Sequence, residues 1–184
     1  MVVSGAAGFG CSAPVRESVF LDRMRFGSMG SVALAPLENL TGNPAAADTV
    51  ADLLAVTLYQ TNRFKVVERG EVVRRMGEKM PALVDRSAAR DIGRKLNVDG
   101  VIFGTVTEFG PLLDRTTYGQ ESIIGLHVRL VDSHTGDVVW TAFVNRTTGD
   151  AFFTTGQAMS DLAKSAVLDV VNGLIPPAAQ GAAP

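Results

Sequence analysis

The stretch from Ser31 to Arg69, SVALAPLENLTGNPAAADTVADLLAVTLYQTNRFKVVER, sets a strand, a polar loop, an amphipathic helix and a second strand in direct succession. No other part of the chain constrains the fold as much. Ser31 to Pro36 is a short apolar run of small and branched residues after Gly30, as a buried strand requires. Asn43-Pro44 supplies a side-chain cap and the residue pre-organised for the first helical position, and Asn62 supplies a left-handed stop. Between them, Ala46, Val50, Leu53, Leu54 and Leu58 share one helical face, with Asp48, Asp52 and Gln60 elsewhere on the cylinder. Phe64 to Val67 reads as the second strand.

The remaining segments read as packing onto this unit. Gly70-Glu71 opens a short helical piece over Val72 to Met76, and Pro81 marks a break. Ser87 is expected to cap a second helix whose buried stripe is Ala88, Ile92 and Leu96 and which Asn97 ends. Val98 to Val106 is apolar on both faces, as in a strand near the middle of a covered sheet. Ile123 to Val131 alternates, with Ile124, Leu126, Val128 and Leu130 facing a core and His127 and Arg129 facing solvent. The turn cluster Asp132 to Gly136 then leads into a strand over Asp137 to Val144, with Trp140 on the packed face beside Val138, Ala142 and Val144. Met159, Leu162, Ala163, Ala166, Val167, Val170 and Leu174 form the longest apolar stripe, that of a closing helix. Together these predict an α/β fold over 31–175, a mixed-sheet sandwich with a C-terminal antiparallel hairpin and a closing helix. Residues 1–30 read as a signal remnant or lipid anchor with a tether, and 176–184 as a disordered tail.

Several chemistries are disfavoured. A net charge of -2, with 20% charged residues, gives no field that would gather nucleic acid. One cysteine, Cys11, excludes an internal disulfide and a cysteine-based zinc site. His127 and His134 are too few and too far apart for a metal site or a nucleophile–base pair. There is no phosphate-loop lysine and no nucleophile elbow, so neither an enzyme nor a cofactor or metal is expected. One loop, Leu37 to Asn43, joins the C-terminal end of a strand to a helix N-terminus, where α/β sheets bind ligands. Its Glu38, Asn39, Thr41 and Asn43 either turn and cap the chain or form a small-molecule, nucleotide or partner loop. Arg63, Arg69, Arg74 and Arg75 form no stripe and read as solvated charges.

Gly10-Cys11-Ser12 resembles the lipidation box of a bacterial lipoprotein signal. The resemblance is partial, because no Lys or Arg precedes it, Gly8 stands where an aliphatic residue belongs, and Phe9 is bulky. Two readings stay open: a signal whose beginning lies upstream, with Cys11 acylated, or an N-terminus with a chance cysteine. VALAPLENLTGN, RFKVVERGEV, LNVDGVIFGTVTEFG and LVDSHTGDVVW resemble the curli-secretion-channel lipoprotein family (CsgG-like), over roughly Val32 to Leu174. Penicillin-binding-protein activator lipoproteins are related to that family. The resemblance implies a non-enzymatic accessory or assembly factor, lipid-anchored at the periplasmic side of the outer membrane. Its partners would be envelope proteins and further copies of itself in a homo-oligomer. A place in a secretion channel is the alternative. The family's channel members carry two membrane hairpins, each needing about 20 residues plus a turn, whereas the links Thr107 to Ile123 and Asn145 to Gln157 have about fifteen residues or fewer. A short form without those hairpins, forming no pore by itself, is therefore expected.

Overall fold

The computed structural model describes residues 15–111, 122–148 and 159–175, so the expectations for Cys11 and for 176–184 lie outside the described residues. Among the described residues seven strands form one mixed sheet: β1 (Val15–Phe20), β2 (Ser31–Leu34), β3 (Glu38–Asn39), β4 (Lys65–Val67), β5 (Gly100–Pro111), β6 (Ser122–Asp132) and β7 (Val138–Thr147). Their order is β1-β7-β6-β5-β2-β4, with the short β3 also paired to β5. The β2–β4, β2–β5 and β3–β5 pairs are parallel, and the β1–β7, β5–β6 and β6–β7 pairs antiparallel. Among the described residues there are five α-helices: α1 (Arg23–Ser28), α2 (Ala46–Gln60), α3 (Arg69–Met76), α4 (Arg86–Leu96) and α5 (Met159–Leu174). This is the α/β sandwich expected from the strand and helix pattern.

One face of the sheet packs on α2 and α5. Leu34, Ile102, Leu126, Leu130 and Trp140 meet Leu54, Leu58, Leu162, Val167 and Leu174 in a single buried cluster. The other face is covered by α3 and α4 where β2, the first part of β5 and the adjoining Val131 of β6 and Val138 of β7 lie, through Ala33, Val101 and Phe103 against Val72, Ile92 and Leu96. Close approach of α4 depends on Gly93, where a Cβ would lie 2.0 Å from the Ser133 hydroxyl. Asn97 ends α4 in the left-handed conformation, and Asn62 takes the same conformation just after α2, both as their sequence positions indicate.

The structure departs from the sequence reading in informative places. Residues 15–28, read as tether, form the edge strand β1 and helix α1. Antiparallel pairing to β7 satisfies the backbone of β1, and Phe26 packs edge-on against Phe20 and Phe64. Arg63, read as a solvated charge, is a clamp: its guanidinium donates to the carbonyls of Met29 (2.6 Å), Gly27 (3.1 Å) and Phe26 (3.2 Å) and lies over the Phe64 ring. A helix C-terminus leaves carbonyls such as that of Gly27 without an intrahelical partner, and the Phe26 carbonyl also accepts from Met29 N, so this one cation helps to hold the end of α1. The cap of α4 is Asp85, whose side chain accepts from Ala88 N, and not Ser87. Val138 lies with the α4 cluster and not beside Trp140, because a register shift between Leu130 and Val131 turns the start of β7 over. The link expected after Thr107 is partly strand, since β5 and β6 stay paired out to Pro111 and Ser122.

Helix α5 is tied down by charge as well as by apolar contact. The Asp169 carboxylate, 8% exposed, accepts from Arg16 of β1 at 2.9 Å and from Arg146 of β7. Val167, fully buried, lies two residues before Asp169, in the apolar stripe. Val167→Asp is expected to bury an unpaired carboxylate at a cost of several kcal/mol, against a total stability of about 5–15 kcal/mol. Loss of the cooperative melting transition by circular dichroism is the expected result, and a native-like transition would show that α5 does not close the core.

Candidate functional site

Where α3 and α4 stop, the second face of the sheet continues uncovered among the described residues, and register fixes what lies on it. Directly opposed residues on neighbouring strands share a face. One row across β3, β5, β6, β7 and β1 is therefore Glu38, Thr105, His127, Phe143 and Glu17. The next row, across β5, β6, β7 and β1, is Phe103, Arg129, Thr141 and Val19. Val19 is 50% exposed and Phe143 37% exposed. A cleft of about 410 Å³ opens where this face meets the start of α4, lined by Leu83, Val84, Phe103, Thr105, His127 and Arg129, with Glu38, Asp85 and Arg86 around them.

The polar groups of the cleft differ in how far they are already engaged. Glu38 accepts from the Thr105 hydroxyl at 3.1 Å. Asp85 caps α4 through Ala88 N at 2.8 Å. Arg86 donates to the Gly136 carbonyl (3.0 Å) and to Asp137 (3.3 Å). Thr141 donates its hydroxyl proton to the Val128 carbonyl (3.3 Å), so the same oxygen accepts from His127 Nε2 at 3.2 Å. That leaves the lone pair of His127 Nδ1 facing Arg129 Nη2 at 3.5 Å. Burial, and after it the nearby Arg129 charge, lowers the His127 pKa from its ordinary value, in keeping with a neutral ring in this tautomer.

The loop 37–43 is closed on itself. Asn39 donates to the Asn43 carbonyl (2.8 Å) and accepts from Thr41 N (3.0 Å) and the Thr41 hydroxyl (2.8 Å). Asn43 N reaches the Thr41 hydroxyl at 3.2 Å, and the Asn43 side chain accepts from Ala45 N at 3.0 Å. Ala45 precedes the first residue of α2, so Asn43 acts two residues before that position rather than as the cap itself. Of the four loop residues, the structure brings Asn39, Thr41 and Asn43 together, and sends Glu38 to the sheet cleft. Leu40, at the tip, is 62% exposed.

A second polar centre lies at the opposite end of β5. One oxygen of Asp99 accepts from Gly30 N, Ser31 N and the Ser31 hydroxyl, each at 2.8 Å. Burial opposes ionisation here, yet these donors together hold the carboxyl below its ordinary range. The arrangement stitches the start of β2 to the start of β5. His134 is an exposed turn residue, and among the described residues no group of three or more His, Cys, Asp or Glu could hold a metal ion. The alternation of β6 made the shared face of His127 and Arg129 legible in sequence. The cleft was not, because it depends on where α4 begins relative to β5.

No protein-family model matches the chain, and no curated protein does. The fold is similar to that of the PelC dodecamer from Paraburkholderia phytofirmans in two crystal forms. One, a single-substitution variant, has 22% identity and a TM-score of 0.63 over 87% of this chain and 98% of that one. The other has 20% identity and a TM-score of 0.62 over 87% and 96%. It is also similar to the lipoprotein GNA1162 from Neisseria meningitidis, with 17% identity and a TM-score of 0.55 over 77% of this chain and 97% of that one. At such identities the likeness establishes the fold, and the fold is one found in a bacterial lipoprotein.

The His127 geometry has a consequence for pH. The native ring resists protonation, whereas the unfolded ring takes a proton near its ordinary value of 6.5. Below that value the unfolded state binds more protons, so this contribution to stability is lost as pH falls through about 6.5 towards the native pKa. Denaturant midpoints are expected to fall between pH 7.5 and 5.5, and less steeply in His127→Gln. Parallel profiles for the two proteins would contradict this placement of the ring.

Proposed function

We propose that the chain is a non-enzymatic accessory protein of the bacterial cell envelope, anchored through an acylated Cys11 on the periplasmic side of the outer membrane. It works by binding protein, including further copies of itself. The observation that carries this reading is a fold shared over most of the chain with a dodecameric protein and a lipoprotein, joined to a cysteine four residues ahead of the first strand. A lipid on Cys11 would leave only residues 12–14 between the acyl chains and β1, holding the domain against the membrane surface. The loop 37–43 enters this proposal as a partner contact through exposed Leu40, since its polar groups satisfy one another. A role in curli-type secretion rests on the four sequence segments quoted above, and the proposed role requires no pore from this chain alone.

Mass spectrometry of the protein isolated from its host membranes tests the anchor. A mature N-terminal Cys11 carrying diacylglyceryl and amide-linked acyl groups is expected, together with release from the membrane fraction in Cys11→Ser. An unmodified Cys11 within a longer N-terminal peptide would overturn the reading.

A further inference from the structure

Arg129 stands out among the cations of this domain. It is half-buried, and among the described residues no carboxylate pairs with it; its one partner is the neutral His127 ring, at the outer limit of hydrogen-bond distance. By contrast, Arg16 and Arg146 share Asp169, Arg25 and Arg86 share Asp137, and Arg69 lies against Asp48 and Asp52. A guanidinium carries five N–H donors in a planar fork suited to two acceptor oxygens. Here most of that fork is unspent, and it lies in a cleft with Phe103, Val84 and Leu83 on its walls.

We propose that this cleft binds a carboxylate carried on an apolar body, with Arg129 gripping the carboxylate and the Leu83 and Val84 side chains, over the buried Phe103, covering the body. His127 positions the fork: Thr141 fixes its tautomer, and its Nδ1 lone pair orients one edge of the guanidinium. Three features select a monoanion. Glu38 and Asp85 also line the cleft, and their charges disfavour a dianionic phosphate. Glu38 stands one row and two strands from Arg129, roughly 12 Å between Cα positions at ordinary sheet spacings, so it leaves the fork open to one carboxylate. Arg86 is occupied by the Gly136 carbonyl and the Asp137 carboxylate, so it offers no second cation to a dianion. A cleft of about 410 Å³ lies within the range that small ligands fill, and an acidic side chain of a bound protein segment presents the same chemistry.

The test uses the full chain and proton NMR of the His127 ring, which lies against the fork. Four probes are titrated: 3-phenylpropionate, its neutral amide, the blocked dipeptide acetyl-Leu-Glu-amide, and inorganic phosphate. Saturable shifts of the His127 ring protons are expected with the two carboxylates and not with the amide or phosphate. Tighter binding of the dipeptide assigns a peptide acid, and tighter binding of phenylpropionate a small organic acid. Affinity for the carboxylates is expected to fall about tenfold or more in Arg129→Gln and less in Arg129→Lys, which keeps the charge but not the fork. The melting temperature of each variant is read alongside. If Arg129→Gln fails to fold, the Lys variant and the amide control on the parent protein decide the matter. No saturable shift up to about 20 mM, equal binding of acid and amide, or undiminished binding in a folded Arg129→Gln would overturn the proposal.

Discussion

The backbone ladder of β5 is parallel to β2 and β3 along one edge and antiparallel to β6 along the other, so a single strand joins two halves of different construction. The parallel half needs helical crossovers, which supply α2, α3 and α4; the antiparallel half closes by direct ladders and needs only α5. Gly104 makes the antiparallel pairing possible, since a Cβ there would fall 2.0 Å from the His127 carbonyl oxygen. The start of the strand is held by Asp99, which binds the backbone of Gly30 and Ser31 and so sets β2 in register with β5. Loss of this seam would separate the α3–α4 cluster from the larger core.

This division also explains why one face of the sheet is only partly covered. Crossovers put helices over the parallel strands, whereas β6, β7 and β1 receive cover from α5 on one side and, among the described residues, meet the α3–α4 cluster on the other only at Val131 and Val138. The uncovered side carries His127, Arg129, Thr141, Phe143 and Val19. It is neither a polar face built for water alone nor an apolar face built for a core. Mixed faces of that kind suit association with another molecule.

Much of the fold was legible in sequence because its strongest signals are local. The stripes of α2 and α5, the left-handed Asn62 and Asn97, the alternation of β6 and the turn before β7 are each set by residues within a few positions of one another. The misread segments depend on distant partners. Nothing within 15–28 announces a strand and a helix, because β1 is stabilised by β7 and α1 by Arg63, far along the chain. The turning over of Val138 required a bulge that alternation alone does not encode. Likewise, Glu38 and Asn39 read as loop because their strand pairing is to residues 105 and 106. The same holds for the cleft: each lining residue was visible, but their meeting depends on the docking of α4 on β5.

The domain keeps its titratable groups in structural service. Asp99 and Asp169 bind backbone or arginine, and His127 has one ring nitrogen on Thr141 and the other towards Arg129. What remains available is surface: an edge strand at β1, an exposed Leu40 and the half-open sheet face. These suit a protein that acts by assembly. Light scattering on the protein purified in detergent with its native N-terminus measures this directly against the mass of one mature chain. A single species at a fixed multiple of that mass is expected across dilution, and a monomer at every concentration would contradict function through self-assembly.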